Sequence, residues 1–169
     1  MAGGSRQRAW GAALCGLMLV LAVLAGCANP YQYYGGTGIH DTTVGEVAGG
    51  WENVEETRVE LREDGTALLE KLDGQDFDFD DGWRLSGTGT WQLTDDGGGQ
   101  VLRLALSART RVESRSPATA TDTSTPTPPS TYAWSFYVGR DKHDEVRLFF
   151  FYGDPDAGNR YVMTRETGS

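Results

Sequence analysis

Short runs of alternating apolar and polar residues cover most of the chain, and this is the pattern of half-buried β-strands. In the clearest run, "VLRLALSAR" at 101–109, every second residue from Leu102 to Ala108 faces one side, and Arg103 and Arg109 face the other. Similar runs occupy residues 57–63, 66–72, 87–93, 132–138, 146–152 and 160–165, and a short strand begins at Trp51.

Turn signals separate these runs. Asp64-Gly65 predicts a tight hairpin, and "DDGGG" and "GDPDAG" divide later runs. Only residues 42–47, "TTVGEV", predict a helical turn. About eight short strands without crossover helices predict an all-β domain that forms a small antiparallel barrel. A β-sandwich has the same pattern and is the alternative.

The N-terminus has the layout of a secretory signal. Arg6 and Arg8 provide positive charge, and the segment from Ala9 to Gly26 carries no charge. This segment suits a signal core and is short for a bilayer span, which needs about 20 apolar residues. The sequence therefore predicts a signal peptide over residues 1–26.

The end of that segment, Leu24-Ala25-Gly26-Cys27, resembles the lipobox of bacterial lipoproteins. The resemblance implies cleavage before Cys27 and a diacylglyceryl group on its sulfur, with palmitate as a typical acyl chain. A thiolate is a good nucleophile for this thioether, and two acyl chains anchor a protein stably. It implies a lipid-anchored protein on the extracytoplasmic face of the cell membrane.

Composition narrows the classes of function. With Cys15 in the signal and Cys27 blocked by lipid, the mature chain has no thiol for a disulfide, a metal site or a nucleophile. Loss of Arg6 and Arg8 leaves 13 basic against 24 acidic residues, so the formal charge falls from −9 to −11. This charge argues against nucleic acid as a partner. Abundant arginine, glycine and alanine with little lysine indicate a GC-rich genome of the actinobacterial kind.

Two segments lack strand periodicity. Residues 27–41 contain Gly, Asn and Pro and predict a flexible tether, followed by a single domain over residues 42–166. Residues 113–131 are rich in Thr, Ser and Pro and predict a disordered loop inside that domain. Clustered Thr and Pro could also accept O-linked sugar.

The tripeptide Gly49-Gly50-Trp51 resembles the G-x-W opening of lipocalins and related calycin barrels. In that family the Trp closes one end of the barrel, and an Arg of the last strand packs across its ring. The resemblance implies a structural latch between Trp51 and Arg165, with a cation–π contact worth ~0.5–2 kcal/mol.

The acidic stretch at 73–82 places oxygen ligands at alternate positions, as calcium sites do. It departs from the EF-hand pattern, because Asp81 stands where glycine is required and Gly87 where a bidentate Glu is required. The stretch is therefore interpreted as a solvated loop, with calcium binding as the alternative.

No arrangement of residues indicates catalysis. Asp154 and Asp156 lie in a turn without a nucleophile nearby, and His40 and His143 are isolated. The chain has no phosphate-binding loop, nucleophile elbow or dinucleotide fingerprint. We therefore predict no enzyme activity, no catalytic residues, no cofactor and no metal.

Two interpretations of function follow. In the first, a filled domain acts by contact with another envelope protein, as an inhibitor, subunit or scaffold, through outward-facing Phe149 and Phe151. In the second, the barrel binds an apolar ligand, and Phe77, Phe79 and Trp83 on the loop at 73–86 form its lid. We take the first as the prediction and the second as its alternative.

The lipobox leads to a direct prediction. Changing Cys27→Ser removes the sulfur that would carry lipid, so the chain should be released from the membrane or stay as uncut precursor. Metabolic labelling with a clickable fatty acid measures this, with Cys15→Ser as the matched control that should keep its label. Labelling that survives Cys27→Ser would contradict the assignment.

Overall fold

The computed structural model describes residues 34–115, 127–154 and 157–166. The predicted signal peptide, Cys27 and most of the Thr/Ser/Pro-rich loop lie outside these described residues. From Gly35 onward the chain belongs to one compact unit.

Antiparallel strands follow one another in chain order and close into a barrel, which confirms the predicted fold class and decides against the sandwich. Each strand pairs with the next, and the last pairs with the first. The eight strands are β1 (Gly49–Glu52), β2 (Arg58–Leu61), β3 (Thr66–Asp73), β4 (Trp83–Asp95), β5 (Gln100–Ser114), β6 (Ala133–Arg140), β7 (Val146–Phe151) and β8 (Arg160–Arg165).

Local chemistry explains why the predicted hairpins form. In the turn between β2 and β3, the Asp64 carboxylate accepts hydrogen bonds from the backbone N–H and the hydroxyl of Thr66. Gly65 adopts φ 82°, a left-handed conformation that suits glycine. The turn residues Asp64, Gly65 and Thr66 therefore favour formation of the β2–β3 hairpin.

One end of the barrel, here called the closed end, carries the β2–β3, β4–β5 and β6–β7 turns and the predicted helical turn, α1 (Val44–Val47). A capping box between Thr43 and Glu46 begins α1, and Val47 is fully buried. Neither α1 nor any other helix in the described ranges is long and apolar enough to cross a membrane.

Residues 36–41 are not a free tether. The N–H of Gly38 donates to the carbonyl of Gly98 at 2.9 Å, and the N–H of Gln100 donates to the carbonyl of Ile39 at 2.6 Å. The side chain of Ile39 packs against the core. The predicted boundary at residue 42 is therefore too late, because this segment lies against the β4–β5 turn.

The interior is filled by large side chains. Inward positions of all eight strands contribute to one core, together with Val47 of α1. The largest fully buried side chains are those of Trp51, Trp134, Phe136, Phe150, Leu61, Leu69, Leu72, Leu85, Leu102, Leu104 and Met163.

Two glycines let β4 and β5 coil around this core. The β4–β5 register shifts between Ser86 and Gly87 and again between Thr88 and Gly89. These shifts are β-bulges, which bend a strand and interrupt its alternation. They explain why Ala108, predicted to face inward, is exposed.

Gly89→Ala should destabilise the barrel. A Cβ at position 89 would lie 2.2 Å from the carbonyl oxygen of Ala105, and such overpacking costs about 2 kcal/mol of unfolding free energy. Urea unfolding followed by tryptophan fluorescence measures this loss.

The matched control is Gly45→Ala in α1, where the nearest atom to the new Cβ is 4.0 Å away. Alanine is favoured over glycine in helices by about 1 kcal/mol, so the control should keep or gain stability. Equal losses in the two variants would contradict the role of the bulge.

Candidate functional site

The predicted latch pair lies in contact at the closed end. The guanidinium carbon of Arg165 lies 4.5 Å from the centre of the Trp51 ring. The indole N–H of Trp51 donates to the carbonyl of Val47 at 2.8 Å, and Arg165 donates to the carbonyls of Ala48 and Glu46. Burial lowers the pKa of Arg165. This pair joins β1, β8 and α1.

A second contact fastens α1 to β6. The Glu46 carboxylate accepts a hydrogen bond from the Thr43 backbone and pairs with Arg140 at 3.0 Å. The backbone hydrogen bond, followed by the bond from Arg140, lowers the pKa of Glu46 to about 2. The carboxylate therefore stays charged at neutral pH and holds α1 in place.

The opposite end of the barrel, here called the mouth, contains a buried ionic cluster around Asp73 at the end of β3. The Asp73 side chain is 0% exposed. Its Oδ1 accepts hydrogen bonds from Arg115 Nε at 2.9 Å and Nη2 at 2.6 Å. Its Oδ2 accepts from the Tyr161 hydroxyl at 2.9 Å and lies 3.4 Å from Arg84 Nε.

Further hydrogen bonds complete this cluster. Thr57 Oγ1 lies 2.5 Å from the Tyr161 hydroxyl oxygen and accepts a bond from Arg84 Nη2 at 2.9 Å. Arg84 also donates to the carbonyls of Glu55 and Lys71, at 2.5 and 3.0 Å. Burial, and then the charge of Asp73, raise the pKa of Tyr161. The phenol therefore stays neutral and serves as a donor.

The polar groups of this cluster are paired with one another at the mouth. Both carboxylate oxygens of Asp73 accept hydrogen bonds or face a guanidinium within the barrel. In the described part of the chain, the only buried side-chain polar atom without a partner is Thr42 Oγ1, which lies outside this cluster. The geometry therefore indicates a structural plug of the barrel.

The β3–β4 connection, here called the mouth loop (residues 74–82), covers the plug and contains a short 3-10 helix, Phe77–Phe79. The three predicted lid residues do not act as one unit. The guanidinium carbon of Arg115 lies 3.4 Å from the centre of the Phe79 ring. Trp83 is buried, and its ring contacts that of Tyr132. Phe77 is 61% exposed. Phe77 is therefore the most exposed of the three.

The mouth loop is fastened to β6 and β7. The N–H of Asp76 donates to the carbonyl of Phe151 at 3.2 Å, and the N–H of Ser135 donates to the Gln75 side chain at 2.9 Å. The Tyr132 hydroxyl donates to Asp78 at 2.8 Å. These bonds on several sides make the loop a fixed cover.

The acidic stretch at 73–82 is divided by these contacts. Asp73 points inward to the arginines, whereas Asp78 accepts from Tyr132 on the outside of the plug. Across residues 34–115, 127–154 and 157–166, no group of three or more His, Cys, Asp or Glu side chains is placed to hold a metal ion. Asp73 and Asp78 therefore contact different partners on the two sides of the plug.

Phe149 and Phe151 lie on the outer face of β7, opposite to core-facing Leu148 and Phe150. They are only 5% and 7% exposed, so the expectation of exposed aromatics is wrong. Both rings contact Tyr137, and the guanidinium of Arg160 lies over both. Lateral contacts on the outer face therefore bury side chains that the alternation predicts to be free.

A comparison of the chain with models of known families, with curated proteins and with solved structures finds no match. The closed antiparallel barrel is compatible with a lipocalin-like fold.

The buried cluster was missed at the level of sequence and leads to a prediction. Asp73→Asn keeps the shape of the side chain but removes the carboxylate that faces the buried Arg84 and the partly buried Arg115. Breaking a buried ion pair in this way costs about 3 kcal/mol of unfolding free energy. Denaturant unfolding measures the loss.

Asp78→Asn is the matched control, because the amide oxygen can still accept the hydrogen bond of Tyr132 at this exposed position. It should change stability by less than about 1 kcal/mol. Similar stabilities for Asp73→Asn and the unchanged protein would show that the cluster does not hold the mouth closed.

Proposed function

We propose that this chain is a bacterial lipoprotein, anchored by lipid on Cys27 at the extracytoplasmic face of the membrane, whose barrel acts by contact with another envelope protein. It serves as an interaction or scaffold domain and carries no catalytic site. The lipobox Leu24-Ala25-Gly26-Cys27 supports the anchor, and the composition supports an actinobacterial source.

The filled interior is the observation that carries this proposal. Small eight-stranded barrels either fill their interior with side chains or hold one small ligand. Here Trp51, Trp134, Phe136 and Phe150 are all fully buried inside. This packing favours a contact function over the alternative, an enclosed apolar ligand.

The mouth favours contact for a second reason. The Asp73 cluster and the mouth loop close the route into the barrel, while apolar side chains remain exposed around it. Phe77 is 61% exposed, Val162 is 42% exposed and Val54 is fully exposed. Exposed apolar groups close to one another mark interaction surfaces more often than other parts of a protein surface.

Site-specific photo-crosslinking in the native envelope tests the proposal. p-Benzoylphenylalanine in place of Phe77 should crosslink the lipoprotein to one envelope protein, because this side chain projects from the mouth loop. The same group in place of Leu68, 40% exposed on β3 away from the mouth, is the matched control and should give no such product.

Native mass spectrometry of the full chain, extracted from its membrane in mild detergent, tests the alternative. The contact function predicts a chain mass with its lipid and nothing more. A reproducible additional mass that denaturation removes, together with no crosslink at position 77, would overturn the proposal in favour of ligand binding.

A further inference from the structure

The barrel closes incompletely where β1 meets β8. The two strands pair only at Trp51 with Arg165 and at Glu52 with Thr164. β8 continues toward the mouth as far as Arg160 and is paired there with β7 alone. We call this open interval, between residues 53–57 and residues 160–163, the seam.

Asn53 causes the seam by turning the chain away from β8. Its Oδ1 accepts hydrogen bonds from the N–H groups of Glu55 and Thr57, at 2.8 and 3.3 Å. The N–H of Asn53 donates to the carbonyl of Thr57 at 3.2 Å, so the loop closes on itself. Continued register would place Val54 opposite Val162, but Val54 points into solvent instead.

The edge of β8 in the seam presents backbone groups. In an antiparallel pair, hydrogen-bonded and non-hydrogen-bonded positions alternate. Two hydrogen bonds fix this alternation on the two sides of β8. The N–H of Tyr152 donates to the carbonyl of Asn159 on the β7 side, and the N–H of Glu166 donates to the carbonyl of Gly50 on the β1 side. The same alternation directs the N–H and C=O of Val162 toward the β1 side, where β1 no longer pairs with β8.

A crevice of about 270 Å³ lies beside this edge. Asn53, Val54 and Glu55 form one wall, and β8 forms the other. Its apolar lining comes from Phe79 and Tyr152, whose ring centres lie 4.0 Å apart. The crevice therefore offers a backbone edge on one side and room for side chains beneath it.

Charged side chains of both signs lie beside the seam. Glu55 and Arg160 line the crevice, and Glu55 pairs with Arg115 at 3.7 Å. Glu52 lies next to the loop wall and forms no ion pair within the described ranges. The nearby Glu56 is paired with Lys71 at 2.8 Å. The chain as a whole carries a formal charge of −9. The carboxylate of Glu52 and the net negative charge of the chain would therefore attract a basic partner and repel an acidic one.

We infer that the seam binds an extended segment of a partner protein, with alternating basic and apolar residues, as an added strand in line with β1. Strand addition supplies backbone hydrogen bonds to an open edge, and alternate side chains provide specificity. The apolar residues would face the crevice and the basic residues the acidic loop. The inference rests on the proposed function and specifies its partner.

A peptide of alternating lysine and valine, acetylated and amidated at its ends, is the probe. It should bind the full chain in detergent, as measured by fluorescence anisotropy, and a glutamate–valine peptide should bind at least about tenfold more weakly, a difference of 1.4 kcal/mol. Hydrogen exchange should slow at the Val162 amide when the lysine–valine peptide binds.

Two N-methylated isomers of the probe test strand addition with the protein unchanged. One isomer carries methyl groups on the valine nitrogens and the other on the lysine nitrogens. Because successive N–H groups of a strand point to opposite edges, one isomer should lose binding by at least about tenfold and the other should keep it. Equal binding by both isomers would overturn the inference.

Val162→Pro tests the protein side. Proline removes the N–H that faces the seam but no bond of the β7–β8 ladder, so the barrel should remain folded and binding should fall at least about tenfold. Val162→Ala keeps the N–H and removes only side-chain contacts, so its binding should fall less than that of Val162→Pro. Equal binding by the two variants would contradict the inference.

The remaining outcomes are also decisive. Peptide-free dimers that Val162→Pro dissociates would show a second copy in the seam and would overturn the inference. Failure of the lysine–valine peptide to bind, with the crosslink at position 77 intact, would overturn it and leave the proposed function standing. Loss of that crosslink would count against the proposed function itself.

Discussion

In a closed barrel of eight short strands, every second side chain points into one shared interior, and side chains or a ligand must fill that interior. Aromatic and leucine side chains fill its middle, and Trp51 fills the closed end beneath Arg165. At the mouth the strands end and loops bring polar backbone inward, so apolar packing alone cannot finish the core. Asp73, with two arginines and Tyr161, completes it there with mutually satisfied polar groups.

Much of this architecture was predictable because it depends on local pattern. Alternation located all eight strands, and the sequence "TTVGEV" located α1. The buried cluster was not predictable. Asp73 lies in an acidic stretch, and its partners Arg115 and Tyr161 are far away in the chain. A register shift between Leu69 and Leu72 also changes which residues of β3 face inward. Periodicity cannot report a bulge of this kind.

The burial of Phe149 and Phe151 shows a second limit of the sequence pattern. Alternation correctly assigns them to the outer face of β7, but exposure depends on what lies beside a side chain. Tyr137 is on the neighbouring strand, and Arg160 comes from β8. The exposed apolar side chains of the described residues lie elsewhere, among them Phe77 on the mouth loop and Leu68 on β3.

The meandering strand order has a consequence for how the barrel is made. Every pairing except one joins strands that follow each other in the chain, so hairpins can form as soon as both of their strands are present. The exception, β1 with β8, must wait for the last strand to arrive. During synthesis, β1 would therefore emerge first and remain an unpaired edge on one side until Arg165 reaches Trp51. Until β8 arrives, chaperones rather than strand pairing would have to protect this edge from aggregation.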